Sequence, residues 1–253
     1  MSQGQTSLER RNVLLVCSGT YHDFDYARAE LLRRLLDQPQ ARTRVAEDYA
    51  NLEAIRQADA LITYTTDVVP TAEQQSELEQ FLSRGGRWFA LHGTNAIVEI
   101  DDQGYASSPR VSGEFMEMLG SQFIAHPPKG HFEVHNAQPE HPLVQDIDSF
   151  TVDDELYLVE THGELDVLLY ANFNGKAMKG FTEREFFSDE PRPILYLKDH
   201  DPGQILYLTL GHCRGHLDMQ PLMDWYPEVE RCSWESPVFD QLLDRGIRWM
   251  LRP

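Results

Sequence analysis

The chain carries ten histidines, and histidine is both the side chain that changes charge near neutral pH and a common metal ligand. His22 follows the run Asn12 to Cys17, His92 follows Arg87 to Leu91 (RWFAL), and His212 follows Ile205 to Leu210 (ILYLTL). Each of the three therefore falls at the carboxyl end of an expected strand. Taken singly, each reads as a residue that caps a strand or bonds a loop. Taken together, they point to one shared site for acid–base or metal chemistry. Around His92 the run Ala90-Leu91-His92-Gly93-Thr94-Asn95 has the small neighbours of a nucleophile elbow, yet histidine stands where a hydrolase would carry Ser or Cys. The carboxylates Asp153-Asp154-Glu155, ahead of Leu156-Tyr157, offer a general base or a metal ligand, with a solvated acidic turn as the plain alternative. His126, His131, His135 and His141 show neither HExxH nor HxH spacing, and a strand would carry His131 and His135 on one face. A divalent cation is the cofactor such residues could hold, with His92 and His212 as its candidate ligands.

Those residues need elements to place them. Asn12 to Cys17 (NVLLVC) reads as a buried first strand stopped by Ser18-Gly19-Thr20. Tyr26, Ala29, Leu32, Leu35 and Leu36 recur at helical spacing from Asp25 to Leu36. Arg44 to Tyr49 fits a strand or the approach to a helix, Leu52 to Gln57 a short helix, and Ala60 to Tyr64 a buried strand. Thr71 with Gln74 forms a capping box ahead of a helix from Ala72 to Ser83. Alternating β and α units of this kind predict a mostly parallel sheet with helices on both faces. Ligands of such sheets bind at the carboxyl ends of the strands: Ser18 to Asp23, Thr65 to Asp67 and His92 to Asn95.

Beyond residue 96 come a polar insertion (Glu99 to Arg110), a helix from Ser112 to Leu119 and a stretch rich in His and Pro. Antiparallel strands are then expected at Phe132 to His135, Ser149 to Leu158 and Val167 to Tyr170. Ile194 to Lys198 and Ile205 to Leu210 form a hairpin. A helix from Pro237 to Leu251 shows Phe239, Leu242, Leu243, Ile247 and Met250 on one face. Trp225, Tyr226 and Trp234, with Met219 and Met223, read as a sugar-stacking platform, an oligomer contact or a satellite core. The organisation expected is a polar lead over residues 1–11 and one domain over 12–253.

Composition narrows the partners. Among 253 residues, 41 Asp and Glu stand against 22 Lys and Arg, a formal charge of −19, which disfavours nucleic acid and anionic membrane surfaces. No apolar run approaches the ~18 residues of a membrane span, and the polar run Met1 to Arg11 carries no apolar h-region, so secretion by that route is not expected. The three cysteines, Cys17, Cys213 and Cys232, lack C-x-x-C spacing, which argues against a disulfide framework. A cytoplasmic location is expected, and the apolar faces permit a homo-oligomer. Neither a Walker A loop nor GxGxxG occurs.

The runs CSGTYHD, DALITYTTDVV, GGRWFALHGTN, GSQFIAHPP, PEHPLVQDI, DDELY and GQILYLTLGH, in that order and followed by GIRWML, resemble the ThuA-like family from about Val13 to Leu251. The resemblance implies a flavodoxin-like, class I glutamine amidotransferase-like fold: a mostly parallel α/β sheet with antiparallel additions in its second half. It also implies carbohydrate as the small-molecule partner, a trehalose-like disaccharide or a keto derivative. His92 occupies the elbow of that fold and His212 the place of its late histidine, while the elbow cysteine is missing, so glutamine hydrolysis is not expected. On this resemblance His92 and His212 act as acid–base groups or metal ligands and Glu155 is their carboxylate partner. His22, Asp23, Thr65, Thr94, Asn95 and His126 surround the sugar. A protein that binds sugar without turning it over, on the same scaffold, is the alternative.

Overall fold

The computed structural model describes residues 9–252, so most of the polar lead lies outside the described residues. Four strands and their helices build the first half: β1 (Arg11–Gly19), α1 (Phe24–Leu36), β2 (Ala41–Ala46), α2 (Leu52–Gln57), β3 (Ala60–Thr66), α3 (Ala72–Ser83) and β4 (Arg87–Leu91). β2, β1, β3 and β4 lie side by side in that order, and the strand Gly203–Leu208 adds parallel to β4. This is the doubly wound order of the flavodoxin type. The sheet continues antiparallel through Arg192–His200, Asp166–Ala171, Gly130–Asn136 and Phe150–Asp154.

Successive residues of β1 face opposite sides, as the pleat requires. Val13, Leu15 and Cys17 pack with α1 and the C-terminal helix (α5, Pro237–Met250), whereas Leu14 and Val16 pack with α2, α3 and α4 (Gly113–Leu119). Helices therefore cover both faces, and β3, enclosed on both, is buried along its whole length. α3 begins on the expected capping box of Thr71 and Gln74. Along α5 the five expected apolar residues are all buried.

Several details depart from the sequence reading. The buried stripe of α1 is Ala27, Leu31 and Leu35, four residues apart, while Ala29 and Leu36 are exposed, because the face that meets the sheet is narrower than the apolar spacing suggests. Of the two alternatives for Arg44 to Tyr49, the strand is the one found, starting earlier, as the edge strand Ala41–Ala46. Ser149 to Leu158 is not one strand. Phe150–Asp154 ends where Asp154 turns its carboxylate to buried backbone N–H groups, and Leu158–Thr161 pairs separately with Ser121–Ala125. The polar insertion folds into a short ribbon, Glu99–Ile100 against Ala106–Ser107. Trp234 is core, whereas Trp225 is exposed and stacks on His216. Among the described residues no helix is long and apolar enough to cross a membrane.

Candidate functional site

Five parallel strands end on the same side of the sheet, and the ends of β1, β3, β4 and Gly203–Leu208 bring distant residues together. Past β4, the chain turns sharply with His92 at φ 42°, the left-handed conformation an elbow demands. Gly93 makes that turn possible, since a Cβ there would stand 2.2 Å from Thr66 Oγ1 and 2.6 Å from the Thr65 carbonyl oxygen. Thr94 Oγ1 donates to the Leu91 carbonyl at 2.8 Å, and the Asn95 N–H donates to Tyr207 Oη at 2.8 Å. Tyr207 in turn donates to the His92 carbonyl at 2.6 Å. Thr94 and Asn95 thus hold the elbow and do not reach the cavity. At the other strand end, Gly211 (φ 129°) and His212 donate their N–H groups to the buried Asp154 carboxylate at 3.0 and 3.2 Å.

His92 Nδ1 faces the Thr209 carbonyl at 2.8 Å and His22 Nδ1 faces the Thr20 carbonyl at 3.0 Å. A carbonyl only accepts, so both imidazoles carry their proton on Nδ1 and turn a bare Nε2 inward. Those two Nε2 atoms stand 3.0 Å apart. His212 Nε2 donates to Glu230 at 2.8 Å, leaving Nδ1 inward, without a hydrogen-bond partner, 3.3 Å from Glu155 Oε2. The same carboxylate oxygen lies 3.9 Å from His92 Nε2. His22, His92, Glu155 and His212, all buried, each offer one ligand atom, and these atoms lie within 4.8 Å of one another. They are the residues that could hold a metal.

Burial sets the charges. It pushes His92 down to about 3 and His22 well below the ordinary imidazole value, so both are neutral. Burial also opposes the charge on His212, but Glu155 and Glu230 outweigh it and raise that group to about 9. Glu155 would likewise rise on burial, but His126, His212 and Arg214 hold it well below the usual carboxylate range. Tyr157, raised far up by burial, stays a donor, and its hydroxyl lies 3.1 Å from His92 Nε2.

A cavity of about 410 Å³ opens over this cluster, inside the usual range for small-molecule sites. His22, Glu155 and Tyr157 form its floor, Arg214, Lys129, Glu230 and His126 its polar wall, and Phe123, Phe181, Ile100 and Met178 its apolar wall. His92 and His212 lie fully buried behind that floor rather than on the cavity surface. Thr65 does not line it either; Thr66 does, bonded to His22 Nδ1 at 3.1 Å. Asp23 caps α1 and pairs with Arg231 at 3.0 Å, away from the cavity. His131 and His135 sit on Gly130–Asn136, second from the edge of the sheet, and do not line the cavity. The expected Trp-rich platform contributes only Met219 and Tyr226.

The sequence reading missed Glu230, Arg214 and Lys129. Arg214 and Glu230 are joined by reciprocal backbone bonds of 3.0 and 2.8 Å, and Lys129 pairs with Glu230 at 3.1 Å. The signal for Arg214 was its place two residues past His212 at a strand end; nothing local marked Glu230. None of the three cysteines lines the cavity, and Cys213 lies against Tyr64 Oη at 3.2 Å.

A family model described as ThuA, trehalose utilisation, matches residues 12–225. Among solved structures, the chain is similar to a ThuA-like protein from Bacteroides uniformis ATCC 8492, with 18% identity over 99% of this chain and 95% of that one and a TM-score of 0.65. It is similar to a second from Parabacteroides merdae ATCC 43184, with 15% identity over 96% and 90% and a TM-score of 0.62. A β-galactosidase from Rahnella sp. R3 shares the fold at 12% identity, over 96% of this chain but 31% of the enzyme, with a TM-score of 0.56. No curated protein matches.

Proposed function

Since the chain belongs to the ThuA, or trehalose utilisation, family, we propose that it is an enzyme of carbohydrate metabolism that acts on a trehalose-like disaccharide or its keto derivative in this cavity. The observation that carries the reading is the convergence of three strand-end histidines and Glu155 beneath a cavity with aromatic walls. The rings of Phe123, Phe181 and Tyr226 suit the C–H faces of a pyranose. Arg214 and Lys129 bring positive charge to the wall, where a carbonyl or glycosidic oxygen would gather negative charge as it reacts. Glu155 and His22 meet the sugar directly; His92 and His212 act from behind them. The Tyr157 hydroxyl and His126, 3.6 Å from Glu155, are placed to move protons to and from sugar oxygens. Glutamine hydrolysis has no nucleophile here, because His92 fills the elbow.

The test is incubation of the purified protein with trehalose and with keto-disaccharides, with calorimetry and product analysis on the same samples. Conversion that Glu155→Gln abolishes while sugar binding survives supports the reading. Saturable binding without product would replace it with a sugar-binding protein, and no binding of either sugar would overturn it.

A further inference from the structure

The geometry points to a divalent transition-metal site formed by His22 Nε2, His92 Nε2, His212 Nδ1 and a Glu155 carboxylate oxygen, with Zn²⁺ the ion of best fit. The inference deepens the proposed function by naming what the cluster holds, and it rests on that reading only for the location of the chemistry.

The first argument is the tautomers. The Thr20 and Thr209 carbonyls fix the protons of His22 and His92 on Nδ1, so two lone pairs lie 3.0 Å apart in a buried place, and of the two only that of His92 has a donor, the Tyr157 hydroxyl at 3.1 Å. Two lone pairs at that distance repel unless something positive sits beside both. A cation bonded to both nitrogens removes the conflict.

The second argument is the third histidine. His212 Nδ1 is buried and aimed into the cluster, 3.3 Å from Glu155 Oε2 but in a geometry that makes no hydrogen bond, and buried polar atoms are seldom left so. Its other nitrogen donates to Glu230 at 2.8 Å. All three rings therefore give their outer N–H to a carbonyl or carboxylate and point the inner nitrogen at one spot, the outer-shell pattern that orients metal-binding imidazoles.

The third is size and donor type. Bonds of about 2.1 Å in a tetrahedron leave ligand atoms about 3.4 Å apart. The separations here are 3.0, 3.3 and 3.9 Å, with no pair of ligand atoms beyond 4.8 Å. Closing the widest gap takes side-chain movements of about an ångström. Three imidazoles and one carboxylate suit Zn²⁺ and its first-row neighbours, whereas Mg²⁺ and Ca²⁺ demand oxygen ligands. His92 and His212 do not line the cavity, which suits ligands better than groups that touch substrate. Glu155 and His22 set the ion at the cavity floor. There it would polarise a sugar oxygen, and an ion on His92 Nε2 would release the Tyr157 hydroxyl to donate to the same atom.

The experiment is titration of Zn²⁺ into chelator-stripped, untagged full-length protein by calorimetry, with elemental analysis of the protein as purified. We expect one ion per chain. His22→Ala and Glu155→Gln should weaken binding at least 100-fold. Glu230→Gln, which touches no ion but loosens the His212 ring, should weaken it about 10–100-fold, and Tyr157→Phe should leave it within about threefold. Wild-type protein that binds no Zn²⁺ overturns the inference, as does binding that the ligand variants leave unchanged. Should those variants melt below the temperature of titration, the Co²⁺-loaded wild type decides. Intense visible bands of a four-coordinate ion support the site, and an unchanged aqueous Co²⁺ spectrum refutes it. Zn²⁺ bound without any sugar conversion would sink the proposed function alone. Sugar conversion by protein that cannot bind Zn²⁺ would sink this inference alone.

Discussion

Gly93→Ala is the substitution whose outcome the backbone geometry fixes most tightly. The added methyl would stand 2.6 Å from the Thr65 carbonyl oxygen, where carbon and oxygen need about 3.3 Å, so something must yield by about 0.7 Å (3.3 − 2.6). β3 cannot yield cheaply, because it is paired to β1 on one side and β4 on the other and is buried throughout. The elbow must move instead, and with it His92; Thr66 Oγ1, 2.2 Å from the new methyl, is pushed off His22 Nδ1. Overpacking of this kind costs roughly 1–3 kcal/mol, and at about 2 kcal/mol a chain of this size loses about 4–8 °C in Tm. Zn²⁺ affinity should fall by about 10-fold or more, since two ligands shift at once. The matched control is Gly113→Ala, at the start of α4, where no heavy atom lies within 4 Å of the new methyl. Its Tm should be unchanged or slightly raised. Calorimetric melting and Zn²⁺ titration of both variants are the assays. A Gly93→Ala protein that melts within about 1 °C of wild type and binds Zn²⁺ equally well would refute the steric reasoning.

Other expectations are as direct. Tyr157→Phe removes only the hydroxyl 3.1 Å from His92 Nε2, so sugar turnover should drop about 10²–10⁴-fold while the far-ultraviolet spectrum stays the same; undiminished turnover would show that this hydroxyl moves no proton. Asp154→Ala strips the acceptor from the N–H groups of Glu155, Gly211 and His212, and at roughly 1–3 kcal/mol for a buried unpaired group it should lower Tm more than Gly93→Ala does. Native protein should resist iodoacetamide at Cys17 and Cys213, whose thiols burial pushes up, the former to about 12, and label fully only in denaturant; mass spectrometry reads the difference. His200 gives a pH test outside the site. Burial holds its folded pKa below the ordinary 6.5, so it supports stability above that pH and the support is lost as pH falls toward the folded value. Tm measured from pH 7 to pH 5 should therefore decline less steeply in His200→Gln than in wild type.

The elements legible in the sequence were those settled by neighbours in the chain. Thr71 and Gln74 declare the start of α3 three residues apart, and the apolar stripe of α5 is set by helical period alone. The parallel sheet then follows from alternating units, and with it the strand ends at which His22, His92 and His212 emerge. What failed was phase and breakage. β3 is buried on both faces, so no alternation of polar and apolar residues says whether Thr65 or Thr66 points to the cavity; the pleat decides, and Thr66 does. The stripe of α1 is misread for a related reason, since Leu36 is apolar without being covered. The end of the strand Phe150–Asp154 depends on N–H groups at residues 211 and 212, nearly 60 positions away, and no local pattern records a partner at that distance.

The same division explains why three of the four inner cluster residues stood out and the outer shell did not. An imidazole at a strand end is conspicuous by type and place. Glu155 was nominated only as one of three adjacent carboxylates, and its neighbour Asp154 turned out to act on the backbone instead. Glu230 is an acid in an acidic chain, in a loop with no regular structure before it. It becomes part of the site only because its backbone pairs with Arg214, two residues past His212, and that pairing sets its carboxylate against His212 Nε2. An acid fixed there dictates which nitrogen of His212 faces inward, so a residue invisible to the sequence reading governs the direction of one that was plain. Direction is what separates a cluster of buried histidines from a site. Were Glu230 absent, His212 Nε2 would lose its acceptor, and Glu155 alone would be left to orient the ring.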